Sequence, residues 1–573
     1  MNCFFSRRTS TAGLLAIVCL LAAAPSRAAD EPKQNWKLVL MAFGADELAV
    51  VHVADGDKPK ADLLDAQTKM IGDVALENYK SENGRVSFDL KGPTIVMQFS
   101  GASAAPPAGP IKGTLTLRDQ VFPAGLERTD AAKVAEPEQN PVLQEIGKAM
   151  RQADPKVKTR ELQDLIARNG GAPSSHVLYP LLLSAAGEAK LPAAEVEKAV
   201  ETWLKDAKPY GPAWIDAVRL KALQALAPSK DYAETALKLG QEADKSMAAD
   251  APLETRAAVV GLLATVAKNA GKADLARDAE ARSTKLESEL DAEYHEKVPP
   301  FKPTPFEGRK KAGADRVVVF ELFTGAQCPP CVAADVAFDA LLKTYKPTEF
   351  IGLQYHLHIP GPDPLTNTSA LDRQAYYGRL IGGTPSTFFN GRSDAGGGGS
   401  MAGSEEKYKE YRGLVDELLE RKARAEVKVT ASREGDQIAI TADAAKTADA
   451  DAPKQGERAS DRLSLRLALT EEAIRYVGGN RLRFHHHVVR ALPGGADGKR
   501  LVDGKGRVDL RLNLTDLKRE IEEYLSLAAK ERPFPGVLPE IAFKNLSVVA
   551  FVQDDADQSI LGAAVVPVAE PAP

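Results

Sequence analysis

Cysteine is nearly absent from this chain: four in 573 residues, with Cys3 and Cys19 both inside the first 28. Removal of that stretch would leave a single pair, Cys328 and Cys331. Exported scaffolds held by disulfides carry several bridges across longer loops, so this scarcity excludes a disulfide-stapled framework and makes the lone close pair look like chemistry. Long apolar runs are missing too. Beyond Ala24 no segment reaches the roughly 20 apolar residues a membrane-spanning helix needs, so no span is expected in the mature chain. Excess basic charge is also lacking. The net charge is −5, and it becomes −8 once Arg7, Arg8 and Arg27 leave with the first 28 residues, which hold no acid. A nucleic-acid footprint needs a clustered basic face, so nucleic acid is not an expected partner.

What is present begins at the N-terminus. Arg7-Arg8 precede an apolar run from Ala12 to Ala24, and Ser26-Arg27-Ala28 offers a small-residue exit. We read residues 1–28 as a secretory signal peptide. The mature chain is then expected to be soluble and extracytoplasmic, either periplasmic or secreted. Its length is too great for one core and predicts about three to four domains.

Residues 30–128 alternate apolar and polar positions, as in Val86, Phe88 and Leu90 and again in Ile95, Met97 and Phe99. This predicts a small N-terminal antiparallel β domain or partly closed barrel. From 141 to 298 apolar residues recur three and four apart, with Pro212 and Pro252 near helix starts and Gly271 at a helix stop. The pattern predicts stacked αα-hairpins. We read this stretch as a spacer or packing module, with a partner-binding surface as the alternative. The proline-rich stretch 299–312 is a linker.

Val317-Val318-Val319-Phe320 is a continuous apolar strand suited to a sheet covered on both faces. The chain then turns through Thr324-Gly325-Ala326-Gln327 into Cys328-Pro329-Pro330-Cys331 and a helical run, Val332 to Tyr345. A helix N-terminus carries partial positive charge and unpaired N–H groups, which favour a thiolate over a thiol. Cys328 is the expected exposed nucleophile and Cys331 the buried resolving thiol. Further on, Gly382-Gly383-Thr384-Pro385-Ser386-Thr387-Phe388-Phe389 reads as a proline-initiated strand.

Together these two motifs resemble the thioredoxin-like superfamily over residues 313–424. The resemblance implies an α/β thioredoxin-like domain in which Thr384-Pro385 is a cis bond facing the cysteines. It implies that the backbone of Thr384 pairs with an extended client, and that Glu321 is the buried carboxylate passing a proton to Cys331. Gln327 stands where the family carries a tryptophan. The loop Asp394 to Ser400, with Gly396 to Gly399 at its centre, reads as flexible filler or a partial lid beside the site.

A competing chemistry is metal binding. His356 and His358 lie on one face of the next strand, where they would join Cys328 and Cys331 in a soft site for copper(I) or zinc. From 425 to 573 alternation returns, at Val427 and Val429, Ile438 and Ile440, and Leu463, Leu465, Leu467 and Leu469. This predicts a C-terminal immunoglobulin-like β-sandwich, interrupted by an acidic insertion at 443–461 and a helix from Asp516 to Leu527. On a strand His485 and His487 would share a face and His486 would oppose them, so we read the run as structural.

The sequence thus predicts an exported, multi-domain thiol-disulfide oxidoreductase without a cofactor, exchanging a Cys328–Cys331 disulfide with client proteins. Its other expected partner is an extracytoplasmic electron donor. The alternatives are a metallochaperone using Cys328, Cys331, His356 and His358, and a scaffold or adhesion protein with a vestigial redox centre.

Overall fold

The computed structural model describes residues 35–42, 44–54, 59–93, 95–103, 109–117, 120–137, 140–447 and 462–569. The expected signal peptide, 1–28, and most of the acidic insertion lie outside them. The chain divides into two compact units, 1–288 and 289–573. Among the described residues no helix is long and apolar enough to cross a membrane.

The first unit opens with an eight-stranded antiparallel sheet running from Asn35–Leu40 to Gln120–Thr129. The alternation seen in the sequence is the sheet's two faces. Val86, Phe88 and Leu90 are buried while Arg85 and Lys91 are exposed, and Phe88 packs on Phe99 across the strand pair, the rings tilted with centroids 5.3 Å apart. Helices follow from Pro141–Met150 to Ala273–Lys297. Pro141 and Pro155 each open a helix capped by the residue before them. The Val142 N–H donates to Asn140 Oδ1 at 3.0 Å and the Lys156 N–H to Asp154 Oδ1 at 2.8 Å, which satisfies helix donors that have no internal acceptor. The multi-domain plan, with antiparallel β first, helices in the middle and sheets at the C-terminal end, is the one the periodicities indicated.

In the second unit, strand Val318–Thr324 lies between Phe350–His356, which runs parallel to it, and Ser386–Phe389, which runs antiparallel. All seven of its residues are buried. Val318, Phe320 and Leu322 pack against helices Val332–Thr344 and Ser404–Leu419. Val319 and Phe323 pack on the other side with Ala370 and Tyr377 of helix Thr368–Tyr377. Both faces are therefore covered, which is why the strand reads as an unbroken apolar run.

This sheet does not stop at residue 424. Beyond Phe350–His356 it continues through Phe484–Ala491, Leu463–Arg475, Leu546–Asp554 and Ile560–Pro567. Among the described residues, Ala425–Glu434, Gln437–Lys446 and Lys505–Asn513 form a separate three-stranded sheet. Leu463, Leu465, Leu467 and Leu469 share a core with Ile438, Ile440 and helix Leu514–Glu531, whereas Ala468 faces the core of the preceding strands. The sandwich expected from 425 onward thus does not stand apart, because alternation reveals a strand's faces but not its neighbour. The stretch taken as a linker is also packed: Phe301 sits 5.2 Å from Tyr408, and Phe306 5.2 Å from Tyr345, between ring centroids.

Candidate active site

The turn after Val318–Thr324 carries the cysteines. The Cys328 N–H donates to Gly325 O and the Cys331 N–H to Cys328 O, each at 3.0 Å. The two residues form a disulfide with Cα atoms 5.3 Å apart, immediately before helix Val332–Thr344. The Thr384–Pro385 bond is cis. Thr384 lies against the disulfide, its hydroxyl oxygen 3.3 Å and its carbonyl oxygen 3.6 Å from Cys328 Sγ.

One expectation is overturned here. Cys328 is only 1% exposed, and Cys331 is fully buried. Two loops close over the turn. The hairpin between Leu463–Arg475 and Phe484–Ala491 sits on 325–327: Asn480 N–H donates to Ala326 O at 2.9 Å, and Gly479 N–H to Gln327 Oε1 at 3.0 Å. A Cβ at Gly478 would come within 2.3 Å of Ala326 O, so this approach needs glycine. On the other side, Gly399 N–H donates to Pro330 O at 2.6 Å and Ala333 N–H to Gly399 O at 3.0 Å. Local sequence places Cys328 at a helix start but does not show these distant loops, so exposure was not legible.

Glu321 does not occupy its expected place either. It accepts from Arg373 Nε at 2.7 Å and Arg373 Nη2 at 2.9 Å, and also from the Tyr377 hydroxyl. Strand parity explains this. Odd-numbered residues of Val318–Thr324 face helix Thr368–Tyr377, whereas the helix that follows the cysteines covers the even-numbered side. Glu321 therefore points away from the sulfurs.

A buried acid on the helix that follows the cysteines is Asp335, which sequence reasoning missed. It stands four residues after Cys331, on the same helical face. It accepts from Thr324 Oγ1 and from Gln354 Nε2, each at 3.0 Å. Burial pushes its carboxyl well above the usual range, Asp339 and Asp363 push the same way, and the two hydrogen bonds only partly offset this. Its signal in the sequence was an acid at a core-facing position of an apolar helix.

His356 and His358 are not directed at the cysteines. His356 Nδ1 meets Asp363 Oδ2 at 2.8 Å and its Nε2 meets Gln354 Oε1 at 3.2 Å. His358 Nδ1 accepts from the Asp363 N–H at 2.9 Å, so its Nε2–H donates to the Tyr524 hydroxyl at 2.7 Å. All four ring nitrogens are occupied, and among the described residues no group of three or more His, Cys, Asp or Glu is placed to hold a metal. Asp363 also accepts from Ala326 N–H at 2.6 Å and Leu365 N–H at 2.8 Å. Burial raises its pKa, but His356 and these N–H groups outweigh that and hold it below the ordinary value.

The three consecutive histidines go to different surroundings. His485 Nε2–H donates to Tyr476 O at 3.1 Å, and burial first, then the neighbouring His356, lowers its pKa to about 3. His486 meets Asp339 at 2.8 Å, and His487 lies beside Phe338. His487 has φ +50°, which breaks the two-residue alternation assumed for this strand.

No protein-family model matches this chain, and no curated protein matches it. Among solved structures, HBP35 of Porphyromonas gingivalis is similar to it with a TM-score of 0.30 and 18% identity, over 46% of this chain and 78% of that one.

Proposed function

We propose that the chain is an extracytoplasmic thiol-disulfide oxidoreductase whose cysteine-bearing strands and helices form a thioredoxin-like unit. One observation carries this reading: the Cys328–Cys331 disulfide at the start of helix Val332–Thr344, with the hydroxyl and carbonyl oxygens of Thr384 within 3.6 Å of the Cys328 sulfur. The strand order, with Val318–Thr324 between a parallel and an antiparallel neighbour, is consistent with it. The exported location rests on the N-terminal charge and apolar pattern.

In this reading a client thiolate attacks Cys328 Sγ. A mixed disulfide forms, the Cys328–Cys331 bond breaks, and Cys331 leaves as a thiolate. The helix N-terminus stabilises that anion, and Asp335, kept protonated by burial, supplies its proton. A second client thiolate then attacks the client sulfur of the mixed disulfide and releases Cys328 as a thiolate. The client has been oxidised from dithiol to disulfide and the chain reduced by the same two electrons. Run backward, Cys328 attacks a client disulfide and releases one client thiolate. Asp335 takes the Cys331 proton, Cys331 attacks Cys328 Sγ and releases the second client thiolate, and an extracytoplasmic dithiol, itself oxidised to a disulfide, restores the reduced chain.

The burial of both sulfurs favours a second reading, in which the bridge is a permanent staple of a scaffold. Against it, closing so short a loop removes only about 2 kcal/mol of unfolded-chain entropy, little for a unit of this size.

Cysteine substitution tests the proposal. Cys331→Ser should accumulate mixed disulfides with clients, and Cys328→Ser should abolish exchange. If both variants exchange a test disulfide as fast as the parent, the proposal is wrong.

A further inference from the structure

We propose that Gly398-Gly399 is a built-in occupant of the client site, closing Cys328 in the free protein until an extended client backbone displaces it. The inference rests on the redox reading above. A Cβ at Gly398 would fall 2.0 Å from Pro330 O and 3.0 Å from Pro385 Cδ, so the main chain lies directly on the cysteine turn and on the proline beside it. Gly399 spends both of its backbone polar groups on the turn, N–H to Pro330 O at 2.6 Å and O from Ala333 N–H at 3.0 Å. Ala333 is among the first residues of the Val332–Thr344 helix, where N–H groups lack partners within the helix.

This segment is held by few bonds. Thr387 Oγ1 donates to Ala395 O at 2.7 Å and Lys407 Nζ to Gly396 O at 2.8 Å. Gly396 and Gly397 have no atom within 4 Å of where a Cβ would stand. Four successive glycines bring no side chain to bury, so the closed position depends on polar bonds that a client can replace one for one. A single client residue in extended form can do so, donating its N–H to Pro330 O and accepting from Ala333 N–H. Proline cannot make the first of these bonds. Any residue with a Cβ at the Gly398 position meets the Pro330 carbonyl. The site therefore takes extended polypeptide with glycine at the position of Gly398, over Pro330 and Pro385, followed by a non-proline residue.

The test uses the full mature chain, oxidised, with the Cys328–Cys331 bond followed by alkylation and mass as dithiothreitol reduces it. Gly398→Ala cannot close against Pro330, and Lys407→Met removes one anchor away from the sulfurs. Gly403→Ala, with nothing within 4 Å of its new Cβ, is the control. Because reaction through an opening scales with the open fraction, Gly398→Ala should be reduced about tenfold faster or more, Lys407→Met faster by a smaller factor, and Gly403→Ala at the parent's rate. Equal rates in all four proteins overturn the cover. The redox reading fails separately if Gly398→Ala, though reduced faster, passes no disulfide to a reduced test protein.

Discussion

The Thr384 hydroxyl oxygen lies 3.3 Å from the Cys328 sulfur and 3.1 Å from the carbonyl oxygen of Ile359. One hydroxyl hydrogen cannot serve both. With the sulfur bonded to Cys331, the carbonyl is the stronger acceptor. Once the bond opens and Cys328 carries charge, the sulfur becomes the better one.

Thr384→Val should therefore raise the pKa of the Cys328 thiol in the reduced protein. A hydrogen bond to a charged group contributes about 1.5–3 kcal/mol, which corresponds to roughly one to two pH units. The rate of iodoacetamide labelling against pH measures it. An unmoved midpoint would show that the hydroxyl stays with Ile359.

Asp335 gives a pH dependence of definite sign. Its carboxyl sits well above the ordinary value because of burial, so its contribution to stability is complete below the unfolded pKa of about 3.9. That contribution is lost as pH rises through the folded pKa. Asp335→Asn cannot ionise, and the parent should lose stability relative to it with rising pH, by up to about 1.4 kcal/mol per unit. Urea unfolding of the oxidised proteins at several pH values reads this. A constant difference across the range would show that Asp335 does not hold its proton.

Asp363 has the opposite sign. Held below its ordinary value by His356 and backbone N–H groups despite burial, it stabilises the fold above the unfolded pKa, and that support fades as pH falls through the folded one. Asp363→Asn should cost about 3–5 kcal/mol near neutral pH, the usual effect of breaking a buried pair. Its deficit should shrink in acid. A deficit that does not change with pH would assign the loss to packing alone.

Glu321→Gln separates structure from chemistry. The substitution removes the charge that pairs with Arg373 and turns one of its two acceptor oxygens into a donor, so it should lower stability by about 3–5 kcal/mol while leaving the labelling pKa of Cys328 unchanged, because Glu321 faces helix Thr368–Tyr377. A shifted Cys328 pKa in that variant would show that Glu321 is coupled electrostatically to the cysteines.

Much of the cysteine-bearing unit was legible because its signals are local. An apolar run, a tight turn and a helical period occupy consecutive residues, and burial on both faces leaves Val318–Thr324 uniformly hydrophobic. The sheet's continuation into Phe484–Ala491 was not legible, since the strands that meet there, at Gln354 and Val488, are far apart in sequence. The same holds for the site. Cys328, Cys331, Thr384 and Pro385 stand in short motifs. The covering loops, and the placing of Asp335 and Glu321 on opposite sides of the sheet, depend on contacts between segments far apart in sequence.

The central claim is that the Cys328–Cys331 bond opens and closes under the conditions in which clients react. Titration of the mature protein against a graded thiol-disulfide buffer, with alkylation to count free thiols, tests it most directly. A reversible two-electron transition between about −120 and −270 mV is expected, the span of redox-active members of this chemistry. A bridge that stays closed below about −300 mV, as structural disulfides do, would contradict it.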